Sequence, residues 1–277
     1  MTAAVDPSTA STLLIASPAP GVLHITFNRP DARNAMSMAM VDELLAALAR
    51  AEADGTTRVV VLRGAGGHFC AGGDVKDIAT AVRTDRGSAH AAIMQINRRF
   101  GDLCAAYAAS PLAIVAVTEG AVMGGGFGLA CAVDVTLADA SAKFRLSETS
   151  LGLVPAQIAP YLVERLGIGQ ARRLAVTGGT LDAEAAAAVG LAHECLPDTA
   201  ALDAALARTV ADILACAPGA LAATKALMRR ARLATPADLI DDAATLFADA
   251  VLSDEGVEGT LAFMQKRKPR WHPGASS

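Results

Sequence analysis

The chain has 277 residues, 53% of them hydrophobic and 19% charged, enough to bury a large core in one big domain or one domain plus an appendage. The formal net charge is −4 and Lys and Arg are scattered without a basic stripe, so recognition of nucleic acid through phosphate neutralisation is not expected. Five cysteines, odd in number and without CxxC or Cys/His ligand spacing, argue for reduced thiols and against a disulfide framework or a metal site.

The first eleven residues are small and polar and fit a disordered tail. No Lys or Arg precedes Arg29, which removes the basic region of a secretory leader and the Arg-rich face of a transit peptide. No uninterrupted apolar run is long enough to span a bilayer, and the cytoplasm is the expected compartment, with no membrane partner. Folding is expected to start near Leu13, with a strand over Val22–Phe27. Met40, Leu44, Leu45 and Leu48 recur at helical spacing between Ser37 and Ala53, and the β-branched run Arg58–Arg63 follows as a buried strand.

Further on, Leu112–Val117 reads as a short apolar strand, Gly124–Cys131 as a glycine-rich turn entering a helix, and Val133–Leu137 as another strand. The segment 77–99 is expected to be loop that contributes to the side-chain pocket, with no position assigned to it. From Leu202 the pattern is helical: Leu202, Leu206, Val210, Ile213 and Leu214 line one face, and three more helices follow over Leu221–Leu233, Ala237–Leu252 and Gly256–Gln265. The expected organisation is an α/β core over 12–200 and a helical region over 201–277.

Two glycine-rich segments follow apolar strands, His68–Asp74 (HFCAGGD) and Gly120–Gly128 (GAVMGGGFG). If the second opens a helix at Gly125 or Gly126, its free amides and the helix dipole suit a developing oxyanion such as a thioester enolate. Glycines that merely permit tight turns explain either segment alone equally well. Neither segment fits GxGxxG, no GxxxxGK or GxSxG is present, and no HExxH unites any two of the five histidines. That leaves carboxylates. Glu148, in the run FRLSETSLG, follows a short strand pattern and precedes an apolar stretch, where burial would raise its pKa for proton transfer. Locally it reads at least as well as an acid at a helix N-terminus capped by Ser147.

Taken together and in order, the segments resemble the enoyl-CoA hydratase/isomerase (crotonase) superfamily over nearly the whole chain. The run begins with NRP and NAM between Asn28 and Met36 and passes through FCAGGD, GGG, hydrophobic-Ser-Glu, LGLVP and TGG at Thr177–Gly179. It ends in FMQKRK from Phe263. The resemblance implies a spiral of repeated strand-strand-helix turns, C-terminal helices that pack trimers or dimers of trimers, and an acyl-CoA thioester as substrate. Coenzyme A would be part of that substrate, with no separate cofactor. By position, Ala71 and Gly125 would supply two oxyanion-hole amides and Glu148 the proton-transferring group. Asp74 and its neighbours Gly72, Gly73 and Val75 would border the adenine pocket. Arg33 and Ala35 would lie along coenzyme A, with Arg33 near its phosphates, and Gly124 and Gly128 beside the acyl group. Phe263 and Lys266, from the same or an adjoining subunit, would close over the nucleotide.

One departure matters. Hydratases with two glutamates carry the first two residues after GGG, where this chain has Gly128, and only the second, Glu148, remains. The surrounding sequence is most similar to the isohexenylglutaconyl-CoA hydratases, which implies a substrate with a second carboxylate; Arg145 is the nearest cation in sequence to meet it, unless it is an ordinary surface arginine. Competing expectations are a Δ3,Δ2-enoyl-CoA isomerase, a general enoyl-CoA hydratase, and a non-catalytic or RNA-binding protein on the same fold.

Overall fold

The computed structural model describes residues 11–83 and 85–275, so all of the expected disordered tail except Ser11 lies outside the described residues. The first strand, β1 (Leu13–Ala19), is an edge strand that buries only Leu13 and shifts register between Ala16 and Ala19, around Pro18. A proline cannot donate to a ladder, so an edge is where it is tolerated. It pairs antiparallel with β2 (Val22–Phe27), whose side chains then align in parallel with β3 (Val59–Gly64). The sheet continues in parallel through β4 (Ala113–Thr118), β6 (Val135–Asp139) and β9 (Glu194–Leu196). A second sheet holds β5 (Ala121–Met123), β7 (Lys143–Arg145) and β8 (Thr180–Asp182), in that order.

Parallel strands covered on both faces need apolar side chains on both, which is why β3 and β4 are continuous Val, Ile, Leu and Ala runs. Val60, Leu62, Ile114 and Ala116 face a core shared with α1 (Met38–Ala53) and α3 (Arg86–Ala109). Val59, Val61, Val115 and Val117 face the other way, onto Leu202, Ala205 and Leu206 of α7 (Thr199–Ala215). The helix α1 starts as its sequence predicts: the Ser37 hydroxyl accepts from the Met40 amide at 3.3 Å, satisfying one of the orphan donors of the first turn.

The chain repeatedly places one strand in the large sheet, the next in the small sheet, and then a helix. The clearest turns are β4–β5–α4 (Gly125–Ala132) and β6–β7–α5 (Ala159–Thr177). An earlier turn reaches the second layer only through single bridges, Met36 to Gly73 and Cys70 to Val122. Residues 75–82 form α2, so together with α3 the segment expected as loop over 77–99 is mostly helix, and α6 (Ala183–Ala188) leads into β9. After α7 come α8 (Pro218–Ala231), α9 (Ile240–Leu252) and α10 (Asp254–Met264), which carry large exposed apolar side chains, among them Phe247, Leu252, Phe263 and Met264.

Candidate active site

The glycine-rich segment 68–74 is stitched to β5. The Cys70 amide donates to the Ala121 carbonyl at 2.9 Å, the Met123 amide to Cys70 at 2.8 Å, and the Ala121 amide to His68 Nδ1 at 3.1 Å. Directly after β5 the chain turns at Gly124, with φ 49° and ψ −114°, a left-handed conformation that a Cβ would oppose, and α4 begins at Gly125. The Gly124 amide donates to the Arg145 carbonyl of β7 at 3.0 Å, which brings the residues following β7 alongside. Glu148 is therefore delivered to the start of α4 by strand pairing: a Cβ built on Gly124 would lie 3.0 Å from Glu148 Oε1.

Ala71, Gly72, Gly73, Asp74, Gly124, Gly125 and Glu148 all border one cavity of about 280 Å³. Its remaining wall is mostly apolar, with Ile93, Ile96 and Phe100 from α3 and the loop 151–158 opposite. Among the described residues no Lys, Arg or His lines it. Gly125 holds the first position of α4, where a backbone amide has no intrahelical acceptor, and its amide makes no hydrogen bond among the described residues. That donor, at the positive end of a helix, faces the chemistry of an oxyanion.

Glu148 is half-buried, and its Oε2 is buried with no hydrogen-bond partner. Burial pushes its pKa up from the ordinary carboxylate range, only partly offset by its own amide and that of Ser147. Ser147 precedes a single 3-10 turn at Glu148–Leu151 but makes no side-chain cap, so the carboxyl group is not committed to a capping role. A carboxyl group with a raised pKa, no cation and an open oxygen can accept and return a proton. The adjacent Cys70 is fully buried, and burial holds its thiol as a neutral group at about 12, too high for a nucleophile.

Three expectations need correction. The Ala71 amide is engaged, donating to the Arg33 carbonyl at 3.0 Å. Arg33 and Asn34 are both left-handed, with φ of 48° and 57°, which turns that carbonyl onto the 68–74 loop. The strap is pinned by the fully buried Asn34, whose Oδ1 accepts from the Arg29 amide while Nδ2 donates to the carbonyls of Ala65 and His68. An acyl oxygen takes the Ala71 amide only by replacing Arg33.

Second, Gly128 does not line the cavity. A Cβ there would lie 2.0 Å from Ile158 Cγ2, so the space beside the first turn of α4 is filled by the isoleucine, which itself faces the cavity. Third, Arg145 is exposed and absent from the cavity wall.

Arg33 is exposed and Ala35 half-buried in the strap beside the cavity. Asp74 lies at the cavity edge. Burial works against its ionisation, yet the Lys76 amide and the Arg29 guanidinium, 2.7 Å away, hold it below the usual carboxylate range. Val75 opens α2. Phe263, 85% exposed at the end of α10, and Lys266 do not border the cavity. Residues that sequence reasoning missed are Asn97 in the unplaced segment 77–99, Phe100 just after it, and Gln157 and Ile158 just after the LGLVP run. Among the described residues no three His, Cys, Asp or Glu side chains group closely enough to share a metal ion.

A two-sheet spiral that presents one helix-start amide and one half-buried carboxyl group in an apolar cavity defines an acid–base enzyme acting on carbon beside a carbonyl. The family model described as Enoyl-CoA hydratase/isomerase matches residues 18–274, and the chain belongs to that family. Among its relatives, the bovine (Bos taurus) enoyl-CoA hydratase domain-containing protein 2, mitochondrial, is 33% identical over 93% of this chain and 86% of its own length. Two solved structures superpose with TM-scores of 0.90. One is AtuE of Pseudomonas aeruginosa, 53% identical and covering 94% of this chain and 99% of its own. The other is an enoyl-CoA hydratase/isomerase from Marinobacter aquaeolei, 47% identical and covering 95% and 100%. The protein is an enzyme of the enoyl-CoA hydratase type, with the crotonase fold and C-terminal helices.

Proposed function

We propose that the enzyme hydrates a branched, 3-substituted glutaconyl-CoA such as isohexenylglutaconyl-CoA, with Glu148 as its single proton carrier. The thioester oxygen lies on the open Gly125 amide at the start of α4. Water attacks the β-carbon and gives a proton to Glu148; the enolate charge develops on the thioester oxygen; Glu148 then returns the proton to the α-carbon. Atoms balance as the addition of one water. Asp74 and Arg33 border the coenzyme, and Phe263 and Lys266 reach it as parts of an assembled trimer, for which the exposed apolar side chains of α9 and α10 provide a face.

The observation that carries this reading is the pairing of Gly128 with Ile158. The position that holds a glutamate in two-glutamate hydratases, according to the resemblance, is here closed by packing, so one carboxylate must serve both proton transfers. The same observation favours a second reading, a Δ3,Δ2-enoyl-CoA isomerase, in which Glu148 moves a proton between carbons. A panel of acyl-CoA thioesters followed at the conjugated-enoyl absorbance separates the two. Hydration of 3-substituted glutaconyl-CoA removes that absorbance, whereas isomerisation of a 3-enoyl-CoA creates it. Turnover of 3-enoyl substrates alone would overturn the hydratase reading.

A further inference from the structure

The cavity holds one polar device that neither the proton chemistry nor the coenzyme contacts use. Gln157 Nε2 donates to Asn97 Oδ1 at 2.8 Å, joining the 151–158 loop to α3, and both side chains line the cavity. Two primary amides carry four N–H groups, and the bond between them uses one. The pair thus keeps three donors, with Gln157 Oε1 as a spare acceptor, and none of these makes another hydrogen bond among the described residues.

Packing sets the place of this pair. Phe100 rests against Gly125, where a Cβ would come within 3.0 Å of its ring, and the next residue, Gly101, leaves the room that Gln157 occupies: a Cβ there would meet Gln157 Oε1 at 2.3 Å. Ile158, the neighbour of Gln157, covers Gly128, one helical turn beyond the Gly124 that Glu148 touches. Asn97 and Gln157 thus border the same cavity as Gly125 and Glu148, and an acyl chain whose thioester oxygen is on the Gly125 amide shares that cavity with the pair.

We infer that the Asn97–Gln157 amide pair is the specificity-determining contact for a second carboxylate on the acyl chain, bound by neutral N–H donors where the cavity offers no cation. The inference rests on the glutaconyl reading above. It places recognition on α3 and the 151–158 loop instead of on Arg145, and the absence of a side chain at Gly101 leaves the room that Gln157 takes. Donors aimed at a carboxylate also disfavour a purely apolar chain, whose insertion would leave them unpaired.

The test compares kcat/KM for 3-methylglutaconyl-CoA and crotonyl-CoA in wild type, Asn97→Asp and Gly101→Ala. Asn97→Asp keeps the shape and an oxygen for Gln157 but removes two donors and adds like charge; Gly101→Ala displaces Gln157 while changing no polar atom. The ratio of the carboxylated to the plain substrate is expected to fall tenfold or more in Asn97→Asp, carried by KM, and several-fold in Gly101→Ala. A ratio unchanged in Asn97→Asp, with wild type active on both substrates, would overturn the amide-pair assignment and leave the glutaconyl reading standing. A wild type that turns over crotonyl-CoA but no carboxylated thioester would overturn both.

Discussion

Replacing Glu148 with glutamine probes the site from two sides at once, because the carboxyl group that does the chemistry is also one the fold holds at a cost. The amide keeps the shape but cannot accept the proton of water or return it to carbon. General acid–base catalysis by one side chain contributes about 10²- to 10⁴-fold, and here both transfers fall on the same group, so kcat should drop by ~10³-fold or more with KM little changed. Stability should move the other way. Burial raises the pKa of Glu148 above its ordinary 4.5, so the folded protein holds a proton over a pH range in which the unfolded chain has already released it. Stability contributed by the protonated group is therefore full below about 4.5 and declines as pH rises toward the folded value. At neutral pH the ionised group, with Oε2 buried and unpartnered, destabilises the fold. Because the group is only half-buried, water screens part of this cost, and its removal should gain at most about 1 kcal/mol, or up to about 2–4 °C in Tm. Steady-state turnover and thermal denaturation at pH 7 check both halves. For the wild type, the acid limb of kcat/KM should have its midpoint above the ordinary carboxylate range. A variant that loses only a few-fold in kcat, or is destabilised by more than 1 kcal/mol, would refute the reasoning.

Gly125→Pro removes the open amide at the first position of α4 and also presses on the Phe100 ring, so in protein whose circular dichroism spectrum is preserved it should cost ~10²-fold in kcat. Normal turnover would take Gly125 out of the oxyanion site. Gly128→Glu drives a side chain into Ile158 and should destabilise by about 1–3 kcal/mol, and by less when introduced into an Ile158→Ala background that has lost the colliding branch. Denaturant midpoints for the two single variants and the double variant decide it, and equal losses in the two backgrounds would show that the collision is not the cause. Asn34→Ala leaves the Ala65 and His68 carbonyls without their buried donor and should cost roughly 2–4 kcal/mol by chemical denaturation. A loss below ~0.5 kcal/mol would show that the strap is held by other contacts.

The legible parts of the fold are those in which one helix or strand explains its own side chains. The helix α1 announces itself through Ser37 and the Met40–Leu44–Leu48 stripe, and the double-faced apolar runs of β3 and β4 mark a buried parallel sheet. The longest helix, α3, stayed unplaced because charged residues such as Arg98, Arg99 and Asp102 interrupt it and only Ala89, Leu103, Cys104 and Tyr107 are fully buried. The small sheet has strands of three residues, too short for alternation to register.

Within the site, Gly125 and Glu148 were singled out by the ordered resemblance to the family, since locally the one reads equally well as a turn glycine and the other as a helix-start acid. The engagement of Ala71 by Arg33 depends on two consecutive left-handed residues, and the closing of Gly128 depends on Ile158, thirty residues away in sequence. Neither leaves a periodic or compositional mark. Asn97 and Gln157 meet only because α3 and the 151–158 loop share the cavity.

The claim at the centre of this account is that one carboxylate, on one face of the substrate, performs both proton transfers. Hydration of crotonyl-CoA in D₂O, with the configuration of the new C–D and C–O bonds read by NMR coupling constants in the product, tests it most directly. A base that takes the deuteron from water and returns it from the same side predicts syn addition with deuterium at the α-carbon. Anti addition would contradict the account, because it requires a second acid on the opposite face of the acyl chain.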